Sequence, residues 1–173
     1  EGSVNTRVSL IDMDNDGNLD VVRQEDYDGI AVKLGNGDGT FKADISHIIT
    51  QAGTGDSRWT TIGDFNNDYI MDIAAADFTS GKMFVSIGNG DGTFKLGVSN
   101  DITWGRSPLL ADLNGDGYLD YAHSSAGDIC VALGNGDGTL KAEAHYVSPG
   151  GSSPMDNLRA GDLDGDGKLD LII

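Results

Sequence analysis

An all-β fold is predicted by three features of the sequence: two motifs that recur in phase, alternating apolar residues between them, and a glycine-rich, proline-poor composition. An acidic nine-residue motif reads DMDNDGNLD at Asp12–Asp20, DFNNDYIMD at Asp64–Asp72, DLNGDGYLD at Asp112–Asp120 and DLDGDGKLD at Asp162–Asp170, with starts spaced by 52, 48 and 50 residues. A second motif begins 22, 23 and 21 residues later: LGNGDGTF at Leu34–Phe41, IGNGDGTF at Ile87–Phe94 and LGNGDGTL at Leu133–Leu140. Phase-locked repetition over the whole chain marks a repeat architecture. Glycine numbers 26 of 173 residues against 3 prolines, which suits tight turns between short strands better than helices.

Within each repeat the elements follow in order. A β-prone stretch precedes the acidic motif at Arg7–Ile11, Trp59–Gly63, Pro108–Ala111 and Leu158–Gly161, and another follows it at Leu19–Arg23, Met71–Ala76, Leu119–Ser124 and Leu169–Ile173. A third strand alternates Ile30, Val32 and Leu34, then Met83, Val85 and Ile87, then Ile129, Val131 and Leu133, the two-residue period of a pleated strand. Its other face carries Ala31, Phe84 and Cys130, so each sheet is apolar on both sides and requires cover on both. The Asn-Gly and Asp-Gly pairs of the second motif supply positive φ for a hairpin, and a fourth strand is expected at Thr40–Ile45, Thr93–Val98 and Thr139–His145.

Four-stranded antiparallel sheets of this period, stacked through both faces, predict β-propeller blades in a single repeat domain over 1–173. The blades are expected at about 1–57, 58–105 and 106–155, with a partial one at 156–173. Three complete blades plus two strands of a fourth do not close a ring, and two copies would not complete each other. The expectation is a partial propeller that belongs with the remaining blades of a parent ring or self-associates through open blade ends.

Composition narrows function. The net charge is −17, from 28 acids and 11 bases, which repels nucleic acid and attracts cations. No apolar run approaches the length that spans a bilayer, so no membrane insertion is expected. Glu1-Gly2-Ser3 has no signal-peptide character, which sets no limit on location. Cys130 is a single cysteine, excludes an intrachain disulfide framework, and reads as a small buried residue.

In the pattern D-x-D/N-x-D-G-x-x-D, oxygens at the first, third and fifth positions converge when the loop curls. The seventh position adds a backbone carbonyl and the ninth a carboxylate, while glycine at the sixth permits the reversal. The candidate metal ligands are Asp12, Asp14, Asp16, Asn18 and Asp20; Asp64, Asn66, Asp68, Ile70 and Asp72; Asp112, Asn114, Asp116, Tyr118 and Asp120; and Asp162, Asp164, Asp166, Lys168 and Asp170. Such an oxygen cage suits up to four Ca²⁺. An EF-hand is excluded, because the twelfth position holds Arg23, Ala75, His123 and Ile173 rather than glutamate, and the flanks are β-prone. A metal-free Asx-rich turn is the plain alternative for one loop; four in phase, holding fourteen of the 28 acids, argue for metal. The second loop should bind most weakly, because Tyr69 replaces glycine and Asn66 a carboxylate. Asp38, Asp91 and Asp137 of the second motif read as hairpin-turn residues.

These loops, with β-runs such as Leu169–Ile172 after them and the turns at Leu34 and Ile87, resemble the FG-GAP/VCBS repeat family, the blades of integrin α-subunit propellers and of many bacterial secreted proteins. The resemblance implies a propeller, structural calcium and an extracellular setting, and fixes no ligand. Tyr69 and the incomplete blade set depart from it.

In that topology the face opposite the acidic loops carries Asp26, Tyr27, the Asp77–Lys82 segment, and the Arg58–Trp59 and Trp104–Arg106 pairs. Those tryptophans and arginines are candidates to stack on a sugar or grip a carboxylate, unless the indoles pack between blades. The reading is non-catalytic, lectin-like recognition or cell adhesion through a glycan or protein ligand. The alternatives are an accessory or catalytic part of a polysaccharide-active enzyme, or a structural subunit of a larger assembly. Catalysis is disfavoured because most acids sit in the loops and His47, His123 and His145 share no repeat position. An extracellular location follows from the millimolar calcium that would saturate even weak sites there.

Overall fold

The computed structural model describes residues 8–25, 29–48, 57–77, 80–103, 105–147 and 158–172. All regular structure among them is strand. The first sheet orders β1 (Val8–Ile11), β2 (Asp20–Gln24), β3 (Gly29–Lys33) and β4 (Ile45–Ile48) side by side. The second repeats this with β5 (Ser57–Gly63), β6 (Asp72–Asp77), β7 (Lys82–Ser86) and β8 (Val98–Asp101). The third comprises β9 (Arg106–Ala111), β10 (Asp120–Ser125), β11 (Asp128–Ala132) and β12 (Ala144–Val147), and β13 (Arg159–Gly161) pairs with β14 (Asp170–Ile172). Every pairing is antiparallel between chain neighbours, which is the up-and-down order of a propeller blade.

The sheets stack face to face because β2, β3 and their equivalents are apolar on both sides. Val22, Ile30 and Val32 of the first sheet pack with Ile73 and Ala75 of the second. The opposite face of the second sheet, with Ala74, Ala76, Met83 and Val85, packs with Tyr121 of the third. Ala122 and Val131 then turn the other way, towards Leu158 and Leu171. Ala31, Phe84 and Cys130, the second-face residues of the third strands, are all buried as their pattern required. β5 lies beside β9, and β9 beside β13, so the first strands of the last three sheets are neighbours. The fold is thus a partial β-propeller of three four-stranded sheets and a two-stranded one.

The fourth strands begin later than the sequence suggested. After the second-motif turn only one bridge forms, Gly35 with Phe41, Gly88 with Phe94 and Gly134 with Leu140. Regular pairing resumes at Val32 with Ile45, Val85 with Val98 and Val131 with Ala144. Between these pairs two residues on the third strand therefore oppose three on the fourth, and the extra residue makes a β-bulge that interrupts the ladder. The same irregularity recurs in the first strands, where register shifts between Ser57 and Trp59 and again between β9 and β10 beside Ser107, a non-glycine residue with φ 54°.

Candidate metal loops

Each acidic loop joins the first two strands of its sheet, so the four loops lie in series. The first-position aspartate closes the curl: Asp12 Oδ1 accepts from Asp16 N at 3.2 Å and Oδ2 from Gly17 N at 2.9 Å. Asp64, Asp112 and Asp162 take the matching amides of Tyr69, Gly117 and Gly167 at 2.8, 2.8 and 2.9 Å. The fifth-position carboxylate accepts from the seventh-position amide, as in Asn18 N to Asp16 Oδ1 at 2.8 Å. Bonds of this kind, from Asn18 and from Tyr118, hold Asp16 and Asp116 below the usual aspartate range.

The ninth-position aspartate has a role that the motif alone did not show. Asp20 is fully buried; its Oδ2 accepts from Met13 N at 2.7 Å and its Oδ1 from Gly35 N at 2.8 Å. Asp72 does the same with Phe65 and Gly88, and Asp120 with Leu113 and Gly134, all at 2.8 Å. This carboxylate therefore ties the acidic loop to the first glycine of the second motif. That glycine is needed for close approach: a Cβ on Gly35 would lie 2.4 Å from Leu19 O, and one on Gly134 2.3 Å from Leu119 O. For Asp72, burial pushes the carboxyl up, Gly88 and Phe65 amides pull it down, and Asp68 and Asp64 add to the rise; the net direction is upward.

The donor set fits a hard cation. Carboxylate oxygens of Asp12, Asp14 and Asp20 lie within 4.8 Å of one another, as do those of Asp162, Asp164 and Asp170. Asp14 Oδ1 is buried without a hydrogen-bond partner, and its other oxygen is 3.7 Å from Lys42 Nζ. A buried unpaired carboxylate oxygen is costly, and a cation in the loop would satisfy it. The ninth-position oxygens keep lone pairs after accepting their amides. In the second and third loops the third-position amide instead donates to the fifth-position acid, Asn66 to Asp68 and Asn114 to Asp116, both at 2.9 Å. The seventh-position residues Asn18, Ile70, Tyr118 and Lys168 each donate their amide to the fifth-position carboxylate, and the side chains of Ile70 and Tyr118 lie against a second-motif glycine.

The loops are also joined to one another. Asn15 Nδ2 donates to Tyr69 O at 2.7 Å and Asn67 Nδ2 to Gly117 O at 2.8 Å. Both asparagines occupy the fourth position with φ 57°, where the other loops place Gly115 and Gly165. The recurrence of Asn or Gly there was the available signal.

On the opposite rim, Asp77 is fully buried and caps its own turn, accepting from Ser80 Oγ at 2.7 Å, so it offers no free carboxylate. Lys82 pairs with Asp101. Arg106 is exposed at the start of β9. Arg58 and Trp59 lie in β5 at its register shift; their side chains, and all of Asp26, Tyr27 and Trp104, lie outside the described residues. Asp38, Asp91 and Asp137 act as the turn residues expected, each accepting from the threonine two places on; Asp38 Oδ1 takes Thr40 N at 2.9 Å.

A stacked, four-stranded repeat with a phased acidic loop in every unit defines a tandem-repeat propeller protein. The chain belongs to the FG-GAP-like repeat family, whose pattern matches residues 12–75, 64–123 and 112–173. No curated protein matches it. A solved structure of a lectin from Agrocybe aegerita, described as recognising non-reducing terminal N-acetylglucosamine, is similar at TM-score 0.69 and 24% identity over 96% of this chain. This chain spans 45% of that one.

Proposed function

We propose that this chain is a calcium-dependent, extracellular, non-catalytic recognition module whose glycan or protein ligand binds on the rim opposite the acidic loops. The observation that carries the calcium reading is Asp14 Oδ1, buried and unpartnered where three carboxylates converge. Calcium serves as a structural ion: bound only by the folded state, it adds RT ln(1 + [L]/Kd), about 2.7 kcal/mol at a hundredfold excess over Kd. The second loop is the weakest of the four, since Tyr69 takes the left-handed backbone that glycine holds in the others, while Asn66, like Asn114 of the third loop, contributes no charge. A glycan ligand is supported by the fold shared with the Agrocybe lectin.

Thermal unfolding in millimolar Ca²⁺, in EGTA and in Mg²⁺ tests the first part: a calcium-specific rise in Tm is expected, and an unchanged Tm reduces the loops to turns. A glycan array probed with and without calcium tests the second. Calcium-dependent binding that survives Arg106→Ala together with Trp59→Ala and Trp104→Ala would remove the proposed rim.

A further inference from the structure

The third sheet carries a side-chain cluster that the other sheets lack among the described residues. His123 on β10, Cys130 on β11 and His145 on β12 are direct cross-strand partners, so they stand in a row on one face. The corresponding rows are Arg23, Ala31 and Ser46 in the first sheet and Ala75, Phe84 and Ser99 in the second. Strand alternation places His123 on the same side as Tyr121, which packs against the second sheet. Glu143, just before β12, completes the group. Its Oε1 is 2.5 Å from His123 Nε2, and its Oε2 accepts from Thr103 N at 2.9 Å and lies 3.5 Å from His145 Nε2. Cys130 Sγ is 3.6 Å from His145 Nδ1.

An ion pair across strands does not account for this set. The first sheet has one at the matching places, Arg23 with Asp44 at 3.1 Å, and it uses neither a thiol nor an imidazole. Here a ring nitrogen of His123, Cys130 Sγ and a Glu143 oxygen all lie within 4.8 Å of one another, and His145 borders this trio, its Nδ1 towards Cys130 and its Nε2 towards Glu143. The side chains of His123 and Glu143 are 1% and 6% exposed, while His145 is 44% exposed and opens the cluster to solvent.

We propose that His123, Cys130, Glu143 and His145 form a binding site for a borderline-soft divalent ion of the Zn²⁺ type, between the second and third sheets. Nitrogen and sulfur donors with one carboxylate suit Zn²⁺ and not the hard ions that suit the acidic loops. A tetrahedral ion about 2.3 Å from sulfur and about 2.05 Å from nitrogen sets its S···N edge at about 3.6 Å, the spacing found between Cys130 and His145. The His123–Glu143 hydrogen bond opens to about 3.3 Å to admit the ion. The Thr103 amide holds the second Glu143 oxygen, orienting the ligand. Because Thr103 lies between β8 and β9, the bound ion would staple that connection to the third sheet.

The test is Co²⁺ titration of the reduced protein in millimolar Ca²⁺, which keeps the acidic loops occupied. One equivalent of Co²⁺ is expected to produce thiolate-to-metal charge-transfer absorption in the near ultraviolet, erased by an equivalent of Zn²⁺. Cys130→Ser should abolish that band, and His145→Ala, at a half-exposed place, should weaken Co²⁺ binding at least about tenfold. Absence of the band in the unaltered protein overturns the proposal whether or not any variant folds. Unchanged affinity in His145→Ala, or an equivalent of Zn²⁺ still tightly held by Cys130→Ser, overturns it too.

Discussion

Tyr69 has φ 66°, among Gly17, Gly117 and Gly167 at 86°, 89° and 84° in the sixth positions of the other loops. The loop forces this, because the Tyr69 amide must reach Asp64 Oδ2 as the glycine amides reach theirs. A left-handed backbone costs a bulky residue about 1–2 kcal/mol, and glycine loses part of that advantage through its freer unfolded chain. Tyr69→Gly is therefore expected to raise the urea midpoint by an amount equivalent to about 0.5–1 kcal/mol. A lower midpoint would mean that the exposed ring makes contacts worth more than the strain. The aspartates of the second motif make a pH argument at the same scale. Hydrogen bonds from the Thr40, Thr93 and Thr139 hydroxyls, then from their amides, hold Asp38, Asp91 and Asp137 below the ordinary value of 3.8. Their stabilisation is present above that value and is lost as pH falls through the depressed ones. Asp72 works in the opposite sense, its raised carboxyl costing stability when ionised and relieving that cost on protonation. In EGTA, the triple variant Asp38→Asn, Asp91→Asn, Asp137→Asn should lose less stability between about pH 5 and about pH 3 than the unaltered protein. Equal losses, read from urea midpoints, would place acid sensitivity elsewhere.

The first three acidic loops, as elements, form a connected series through Asn15 and Asn67. Asn15→Gly keeps the positive φ while removing the donor, so it isolates the inter-loop bond. A loss of about 0.5–1.5 kcal/mol is expected, with a less cooperative calcium isotherm by calorimetry; unchanged stability would show that neighbouring loops fold independently. The loop positions were legible in sequence because they recur as side-chain types. Loop-to-loop bonds were not, since their acceptors are the backbone carbonyls of Tyr69 and Gly117, and any residue supplies one. The late start of β4, β8 and β12 escaped for a similar reason. Alternation from Thr40 or Thr93 suits a strand, yet the bulge after the second-motif turn is a property of how two strands meet.

For the whole molecule, a net charge of −17 is the dominant electrostatic fact. The loops gather fourteen of the 28 acids on one rim, and four divalent ions would bring the formal charge to −9. In EGTA, raising salt from about 0.01 M to about 0.15 M shortens the screening length from about 30 Å to about 8 Å and should raise Tm. In millimolar calcium the same change should have a smaller effect. Equal salt responses in the two conditions, followed by scanning calorimetry, would show that the loops' mutual repulsion is not what calcium relieves.

The sequence by itself determined the repeat, the strand order, the burial of both sheet faces and the membership of the acidic loops, because all of these follow from local periodicity and turn chemistry. Family membership and the partial propeller were legible for the same reason. Only the tertiary structure decided what crosses between strands and sheets. It turned Asp20, Asp72 and Asp120 into bridges between the two motifs, and it buried Asp77 in its own turn. It also set Cys130 between His123 and His145, fifteen residues from the latter. Cys130 alone reads as a small core residue, and its company depends on pairing register. Register is fixed by turn length and by which face must be buried, so partners far apart in sequence become neighbours only when the sheets close.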